Sequence, residues 1–491
     1  MLNPNATNTC DYFKVHFPSM TIMPTDCNYT TENEVSWNAG NWLGPTCVLT
    51  PSSPEDLSCA VKTLVKFATP FAMRGGGHMT ITDAANINST GILISSTNLL
   101  TMELSKDKSY LSVAPGRRWG DTYVYLDEDK SGKMVVGGRY SPVGIPGYLL
   151  GGGMSFFSYE YGFSSTNGNV KTFECVLADG SIVEATVENE YSDLYWALQG
   201  GGNSFCLLTK FELRTIDSPS ITLGNLSYGF GDTTKDQWLS SVLNYVLNGS
   251  SDPKAAITPV ARYAAGMPGP RYDATLFYNG NVTKPAILND FQGGLLPGNN
   301  LTTLIPLTMS AFAKAVAPAF EEGGESQGLR QRFYVVSHKA TREAMDVVHE
   351  TFFDGVIAHN LTGLSGFFVG LAWNSITTEF IAKSNSGIGC PQGIPEEPVF
   401  WVEEALTWGD AADDAKIEAF VQVVNANITA QLTAMDASPA YIYLNDADGD
   451  QDVFGGYPPE NVQCLKSIRD KYDPLKIFTN LMPGGFKVAH A

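Results

Sequence analysis

The sequence predicts a chain of two domains that mix helices and strands, with a C-terminal tail that rejoins the first. Three observations predict it. Short apolar runs that end in turn residues crowd the first half. Near Pro219 the texture changes, and longer helical patterns begin to alternate with strand candidates. From about Pro439 the last fifty or so residues return to short β and turn signals.

Each element has its own warrant. The runs starting at Gly91, Leu111 and Phe173 read as strands. A helix is predicted over 53–67, where Pro54, Glu55 and Asp56 open the first turn and Leu57, Ala60, Val61, Leu64 and Val65 follow at helical spacing. A short helix over 191–198 ends at Gly200. Further on, helices are predicted over 341–353 and 413–431, and strands over 332–338, 366–373 and 399–408. Within the tail, Tyr441, Tyr443 and Asn445 alternate with Ile442 and Leu444, which predicts a strand with those three on one face.

The 491 residues fit two or three domains at roughly 150 residues each. Lys and Arg total 31 against 51 Asp and Glu, a net charge of −20. That balance excludes a nucleic-acid binder, which needs clustered cations against phosphate. It also argues against docking on an anionic membrane. The most apolar stretch, 301–320, is broken by Pro306, Ser310, Lys314 and Pro318, so no membrane span is expected.

Export is expected on other grounds. Eight Cys is an even number, and Cys10, Cys27, Cys47 and Cys59 fall within the first sixty residues. One of their three pairings is Cys10–Cys47 with Cys27–Cys59, while Cys175 and Cys206 look like core thiols on strands. Nine Asn-X-Ser/Thr sequons occur, at Asn5, Asn28, Asn88, Asn225, Asn248, Asn281, Asn300, Asn360 and Asn427. No signal peptide is visible at the start of this chain. A secreted or secretory-pathway protein is expected, with its signal removed or omitted and Met1 an added start.

Glycines concentrate in three places: Arg74-Gly75-Gly76-Gly77-His78, the stretch from Gly137 to Gly153, and Gly200-Gly201-Gly202. A strand followed by three glycines makes a loop whose N–H groups point at an anion, with pyrophosphate the usual one. No G-x-x-x-x-G-K-[ST] or G-x-G-x-x-G occurs, which excludes P-loop and Rossmann sites. C-x-x-C and paired His spacing are missing too, so no metal centre is expected. Asp446, Asp448 and Asp450 have calcium-loop spacing, but Gln451 stands where glycine is required, so the segment reads as a polar loop.

Arg74-Gly75-Gly76-Gly77-His78 resembles the flavin-attachment loop of FAD-linked oxidases of the vanillyl-alcohol oxidase class. Within that class it is similar to the berberine bridge enzyme-like branch, in its fungal form. Val143-Gly144-Ile145-Pro146-Gly147 through Gly151-Gly152-Gly153, then Tyr161-Gly162-Phe163 and Asn169-Val170, resemble the second FAD segment. Leu177-Ala178-Asp179-Gly180 and Tyr195 to Phe205 follow in the expected order. Tyr443-Leu444-Asn445 and Lys471 to Asn480 resemble the C-terminal element.

The resemblance implies an α+β fold. A PCMH-type FAD-binding domain would occupy 1–217, with its core at about 43–216. A substrate domain at 218–440 would rest on an antiparallel sheet backed by helices. The tail at 441–491 would rejoin the FAD domain. FAD contacts are implied for Arg74, Gly75, Gly76, Gly77, His78 and Met79. They are also implied for Ser141, Val143, Gly144, Gly147, Gly151, Gly152, Gly153, Gly162, Asn169, Val170, Asn445 and Asn480. His78 would carry a covalent 8α-histidyl bond. Some members add a Cys link just before the second segment. Tyr140 occupies that position here, so attachment through His78 alone is expected. Val143 falls beside the flavin in the family, and its modest size favours an oxidase.

Oxidising an alcohol or amine needs a group that takes the second proton. Tyr443 is the first candidate for this base, with Tyr441 on the same predicted face. Glu403 and Glu404 are rivals, although on a strand they point to opposite faces, and Asp446 is another possibility, although its segment reads better as a polar loop. The expected activity is FAD-dependent oxidation of a small-molecule secondary metabolite, with O2 as acceptor and H2O2 as product. A redox-neutral cyclase or isomerase, a carbohydrate oxidase, and a non-enzymatic glycoprotein of the same fold stay open. The expected state is a monomer or homodimer.

Overall fold

A computed structural model describes residues 4–293, 296, 304–320, 324 and 326–490. Met1, the sequon at Asn300 and the start of the 301–320 stretch lie outside the described residues. The strands gather into three sheets.

The first has four strands, β1 (Thr21–Ile22), β2 (Val48–Leu49), β3 (Phe71–Arg74) and β4 (Ile92–Ser95), in the order β1-β2-β4-β3. Both β2 and β3 run parallel to β4. The crossover between β2 and β3 is the helix Pro54–Lys66. Ser53 caps it by accepting from the Asp56 N–H, and Leu57, Ala60, Val61 and Leu64 are buried along its inner face.

The second sheet holds β5 (Met102–Leu104), β6 (Tyr110–Val113), β7 (Lys133–Val135), β8 (Val170–Val176), β9 (Ile182–Ala185) and β10 (Leu207–Asp217). Its order is β5-β6-β10-β8-β9, with β7 pairing the far end of β10.

The third sheet is entirely antiparallel. It comprises β11 (Ile221–Gly229), β12 (Ala255–Ala264), β13 (Arg271–Tyr278), β14 (Ile305–Leu307), β15 (Arg330–Lys339), β16 (Phe368–Ile376) and β17 (Val399–Trp408). The strand order is β14-β11-β13-β12-β16-β17-β15. Helices Asp232–Asn248, Arg342–Ala358 and Asp414–Ala434 pack behind it, the last two against each other. The predicted helices and strands of this region all form, and β17 spans 399–408 as read from the sequence.

The tail departs from expectation. Among the described residues of 441–490 there is no strand. Tyr441 and Ile442 are irregular, and Leu444–Asp446 is one 3₁₀ turn. Side chains satisfy polar groups here instead of a ladder: Ser337 Oγ donates to the Tyr441 carbonyl, and Tyr443 is pinned through its hydroxyl. Helices Pro459–Tyr472 and Ile477–Asn480 complete the tail. It docks on the first sheet, where Phe71 N–H donates to the Leu481 carbonyl at 2.7 Å.

The cysteine expectations need two corrections. Cys10 and Cys47 are bonded as expected, but Cys27 and Cys59 are free thiols. Cys175 and Cys206 form a disulfide rather than standing as core thiols. The β8–β10 register explains it. Leu207 faces Val176 and Leu208 faces Cys175, which brings Cys206 alongside.

Candidate functional site

A cavity of about 690 Å³ is enclosed by the glycine loop after β3, the 138–154 stretch, the front of the third sheet and the tail. That volume lies within the range of small-molecule and cofactor sites, about 300–1,000 Å³.

One wall is backbone. At the end of β3 the Arg74 guanidinium turns away from the cavity into a buried ion pair with Glu32 at 2.6 Å, and it also donates to Ser95 Oγ at 2.8 Å. Burial lowers its pKa to about 10 against the opposing pull of Glu32. Arg74 therefore fixes the root of the loop. Gly75, Gly76 and Gly77 then line the cavity. A Cβ on Gly76 would come within 2.4 Å of the Gly144 Cα, so the two glycine segments meet backbone to backbone.

His78 closes this wall. Its ring stacks on Trp37 at 4.4 Å and 11°, with the Phe320 ring edge-on at 5.8 Å. Its Nδ1 is buried and has no hydrogen-bond partner among the described residues. Burial, followed by the nearby Arg118 charge, lowers the imidazole pKa to about 3. His78 is thus a neutral ring with a ring nitrogen left unsatisfied. Tyr140 stands beside it, 6.1 Å from Phe320 between ring centres.

Met79, Val143, Gly144, Gly147 and Asn445 also line the cavity. Other residues singled out in the sequence hold these segments from behind. Gly153 has φ +84°, and a Cβ there would strike the Tyr148 ring at 2.4 Å. The Gly152 and Gly153 carbonyls accept from Ser165 and Ser164, and Gly151 packs on Asn445. Ser141 sits against Gly120, and Gly162 against the Lys383 backbone. Asn169 Nδ2 donates to the Tyr161 and Phe163 carbonyls, while Val170 is buried in β8. Asn480 is exposed, away from the cavity.

The opposite wall carries the titratable groups. Glu403 lines the cavity from β17, and Glu404 points behind the sheet. There Glu404 accepts from Asn425 Nδ2 at 2.9 Å, and burial raises its pKa to about 8. The Tyr443 hydroxyl accepts from the Met154 N–H and from Asn445 Nδ2, both at 2.9 Å. Burial, the nearby Asp446 and Tyr148 push the Tyr443 phenol well above its usual range. Tyr441 is buried behind it and does not line the cavity.

Two further groups belong here. Asp446, which reads as part of a polar loop in the sequence, lines the cavity. Its carboxylate accepts from Asn374 Nδ2 at 3.3 Å, and Asn374 Oδ1 accepts from Arg139 at 3.1 Å. Burial and the neighbouring Glu403 push Asp446 well up, while Arg139 opposes them. Glu403 is also raised by burial against the pull of Arg139 and Arg262. Arg139 is one residue from Tyr140 in the glycine-rich stretch, which is the signal that could have marked it. Trp37 and Arg262 carry no local signal at all.

A side-chain-free glycine wall, a neutral His with an unsatisfied buried nitrogen and a cavity of this size fit a flat dinucleotide cofactor. Similarity to known proteins agrees. An FAD binding domain model matches residues 45–186. The FAD-dependent monooxygenase prx3 of Penicillium roqueforti is 30% identical over 495 residues, covering 99% of this chain and 94% of the relative. The solved glucooligosaccharide oxidase from Acremonium strictum, described with a 6-S-cysteinyl, 8α-N1-histidyl FAD, superposes with TM-score 0.73 at 19% identity, covering 96% of this chain and 97% of that one. The 6-hydroxy-D-nicotine oxidase of Arthrobacter nicotinovorans gives TM-score 0.75 at 18% identity, covering 94% and 96%. The chain is an FAD-dependent oxidoreductase that belongs to the family of fungal FAD-dependent monooxygenases represented by prx3, and it has the fold of the berberine bridge enzyme-like and glucooligosaccharide oxidase structures.

Proposed function

We propose that this oxidoreductase is a secreted oxidase of a small-molecule metabolite, with FAD held covalently by His78 alone. The unsatisfied Nδ1 of the neutral, buried His78 carries this reading. When bound, FAD supplies the two-electron acceptor that is reoxidised by O2 to give H2O2. The chain's own residues do the rest. The Gly75–Gly77 and Val143–Gly147 segments cradle the cofactor through backbone. Tyr140 replaces the Cys of a second link, and its aromatic ring occupies that corner beside Phe320. Residues 1–217 and 441–491 form the cofactor-binding part, and 218–440 supplies the substrate wall.

Glu403 is the better placed proton acceptor of the residues considered. It lines the cavity, whereas Glu404 and Tyr441 do not. Tyr443 also lines the cavity but holds its proton tightly, so its phenol suits donating a hydrogen bond to substrate. A second reading, acid-catalysed cyclisation without net oxidation, is favoured by one observation. Asp446 and Glu403 share a buried site, where burial raises both carboxyls above their ordinary range.

Secretion and glycosylation are supported by two disulfides and by exposure. The eight sequon asparagines that the structure describes are all exposed.

The deciding measurement is the visible spectrum of the purified protein and of its acid-precipitated pellet. Yellow colour is expected to stay with the pellet, and to move to the supernatant in His78→Ala. Colour that leaves the wild-type pellet overturns the covalent link. Oxygen uptake on turnover then separates oxidation from redox-neutral chemistry.

A further inference from the structure

The substrate wall is one face of the third sheet, and its side chains fall into registered rows. Arg262, Gly370, Ala405 and Phe333 form one row across β12, β16, β17 and β15. Val260, Ala372, Glu403 and Val335 form the next. Phe368 and Thr407 pair in the row beyond. Neighbouring strands lie about 4.8 Å apart, so the Arg262 and Phe333 backbones stand roughly 14 Å apart. Between them are the two smallest side chains of the row. A Cβ on Gly370 would meet Val260 at 3.2 Å and the Ala261 carbonyl at 3.9 Å, and nothing else within 4 Å. The floor is therefore a slot, open over Gly370 and Ala405, with a guanidinium at one end and an aromatic ring at the other.

That guanidinium is under-used. Arg262 Nε lies 3.3 Å from Asp273 Oδ2. The same oxygen accepts from Arg271 Nε at 3.1 Å and from an Arg271 terminal nitrogen at 3.0 Å. One carboxylate serves two guanidiniums, which leaves a surplus positive charge at this end. The terminal nitrogens of Arg262 have no hydrogen-bond partner among the described residues, and the side chain lines the cavity. The Phe368 ring lies 5.7 Å from the guanidinium carbon and flanks it. The other charged groups at this wall are Glu403, Asp446 and Arg139. The two carboxyls crowd one buried site, and burial raises both against the pull of the guanidiniums. Within a chain of net charge −20, Arg262 and Arg139 bring two guanidiniums to this cavity.

We infer that the substrate is an organic acid whose planar two-oxygen anion, a carboxylate or the enolate of a β-dicarbonyl, docks on the free terminal nitrogens of Arg262, with its carbon skeleton lying in the Gly370–Ala405 slot. A planar fork of N–H donors matches such an anion in two parallel hydrogen bonds, which a point charge does not. This assignment rests on the reading that FAD occupies the glycine side of the same cavity.

Benzoate and benzyl alcohol are matched probes, one anionic and one neutral. Each is titrated into the holoenzyme, with flavin absorbance and heat of binding as readouts. Benzoate is expected to bind at least about tenfold tighter than benzyl alcohol. Arg262→Gln is expected to abolish that preference, and Arg262→Lys to restore only part of it. Asp273 keeps Arg271 in both variants, so an unchanged melting temperature is expected. Equal binding of the two probes, unaltered benzoate binding by Arg262→Gln, or no heat with benzoate would each overturn the inference. A colourless protein would instead sink the FAD reading, while the calorimetric comparison still decides the anion site.

Discussion

The two walls of the cavity are built on opposite principles. On the glycine side, Gly76 and Gly144 touch through backbone, and no side chain has room to enter. On the sheet side, Arg262, Glu403, Phe333 and Phe368 project from four different strands over a floor of Gly370, Ala372 and Ala405. A backbone wall fixes one shape wherever two segments touch, as at Gly76 and Gly144. A side-chain wall can be rewritten residue by residue while its strands stay paired. The first suits a constant cofactor and the second a variable substrate.

The contrast is breakable. Gly76→Ala forces a Cβ to 2.4 Å from the Gly144 backbone, so the two segments must move apart. A loss of about 3 kcal/mol of stability is expected, together with loss of bound flavin, as read by thermal melting and the spectrum. Gly147→Ala is the control. It lines the same cavity, but a Cβ there has no atom within 4 Å, so the melting temperature should hold.

Gly370→Leu tests the other wall. The side chain fills the slot, so benzoate binding is expected to fall about tenfold or more. Bound flavin should be retained. A variant that loses flavin as well would show that the two walls are not independent.

Glu404→Gln has the mildest expected effect, because Glu404 lies behind the sheet. Burial raises its folded pKa to about 8, above the ordinary carboxylate value. A raised acid contributes stability that is fully present below its unfolded pKa and is lost as pH rises through the folded one. The wild-type melting temperature should therefore decline more steeply than that of Glu404→Gln between about pH 5 and about pH 9. Parallel profiles would mean that Glu404 is ionised throughout.

The same contrast explains what could be read in the sequence. Arg74 to His78 and Val143 to Gly153 are legible because tight backbone contacts demand glycine at consecutive positions. The slot is not legible, because residues 262, 333, 370 and 405 meet only through strand register. Cys175 and Cys206 were hidden by the same cause. Tyr441 to Asn445 shows the reverse error. Its alternation imitates a strand, yet Ser337 and Met154 satisfy its polar groups one by one. Asp446 was legible as a residue but not as a neighbour. Only the fold sets it against Glu403 and within reach of Asn374.

The docking of the tail has a consequence for biogenesis. Leu481 bonds to the strand that leads into the Gly75–Gly77 loop, and Tyr443 to Asp446 line the cavity. A ribosome releases the N-terminal segments first, so the emerging chain lacks one side of this cavity until residues 441–491 are free. Flavin capture is thus expected to wait for this segment, and a ribosome-stalled chain lacking 441–491 should emerge colourless.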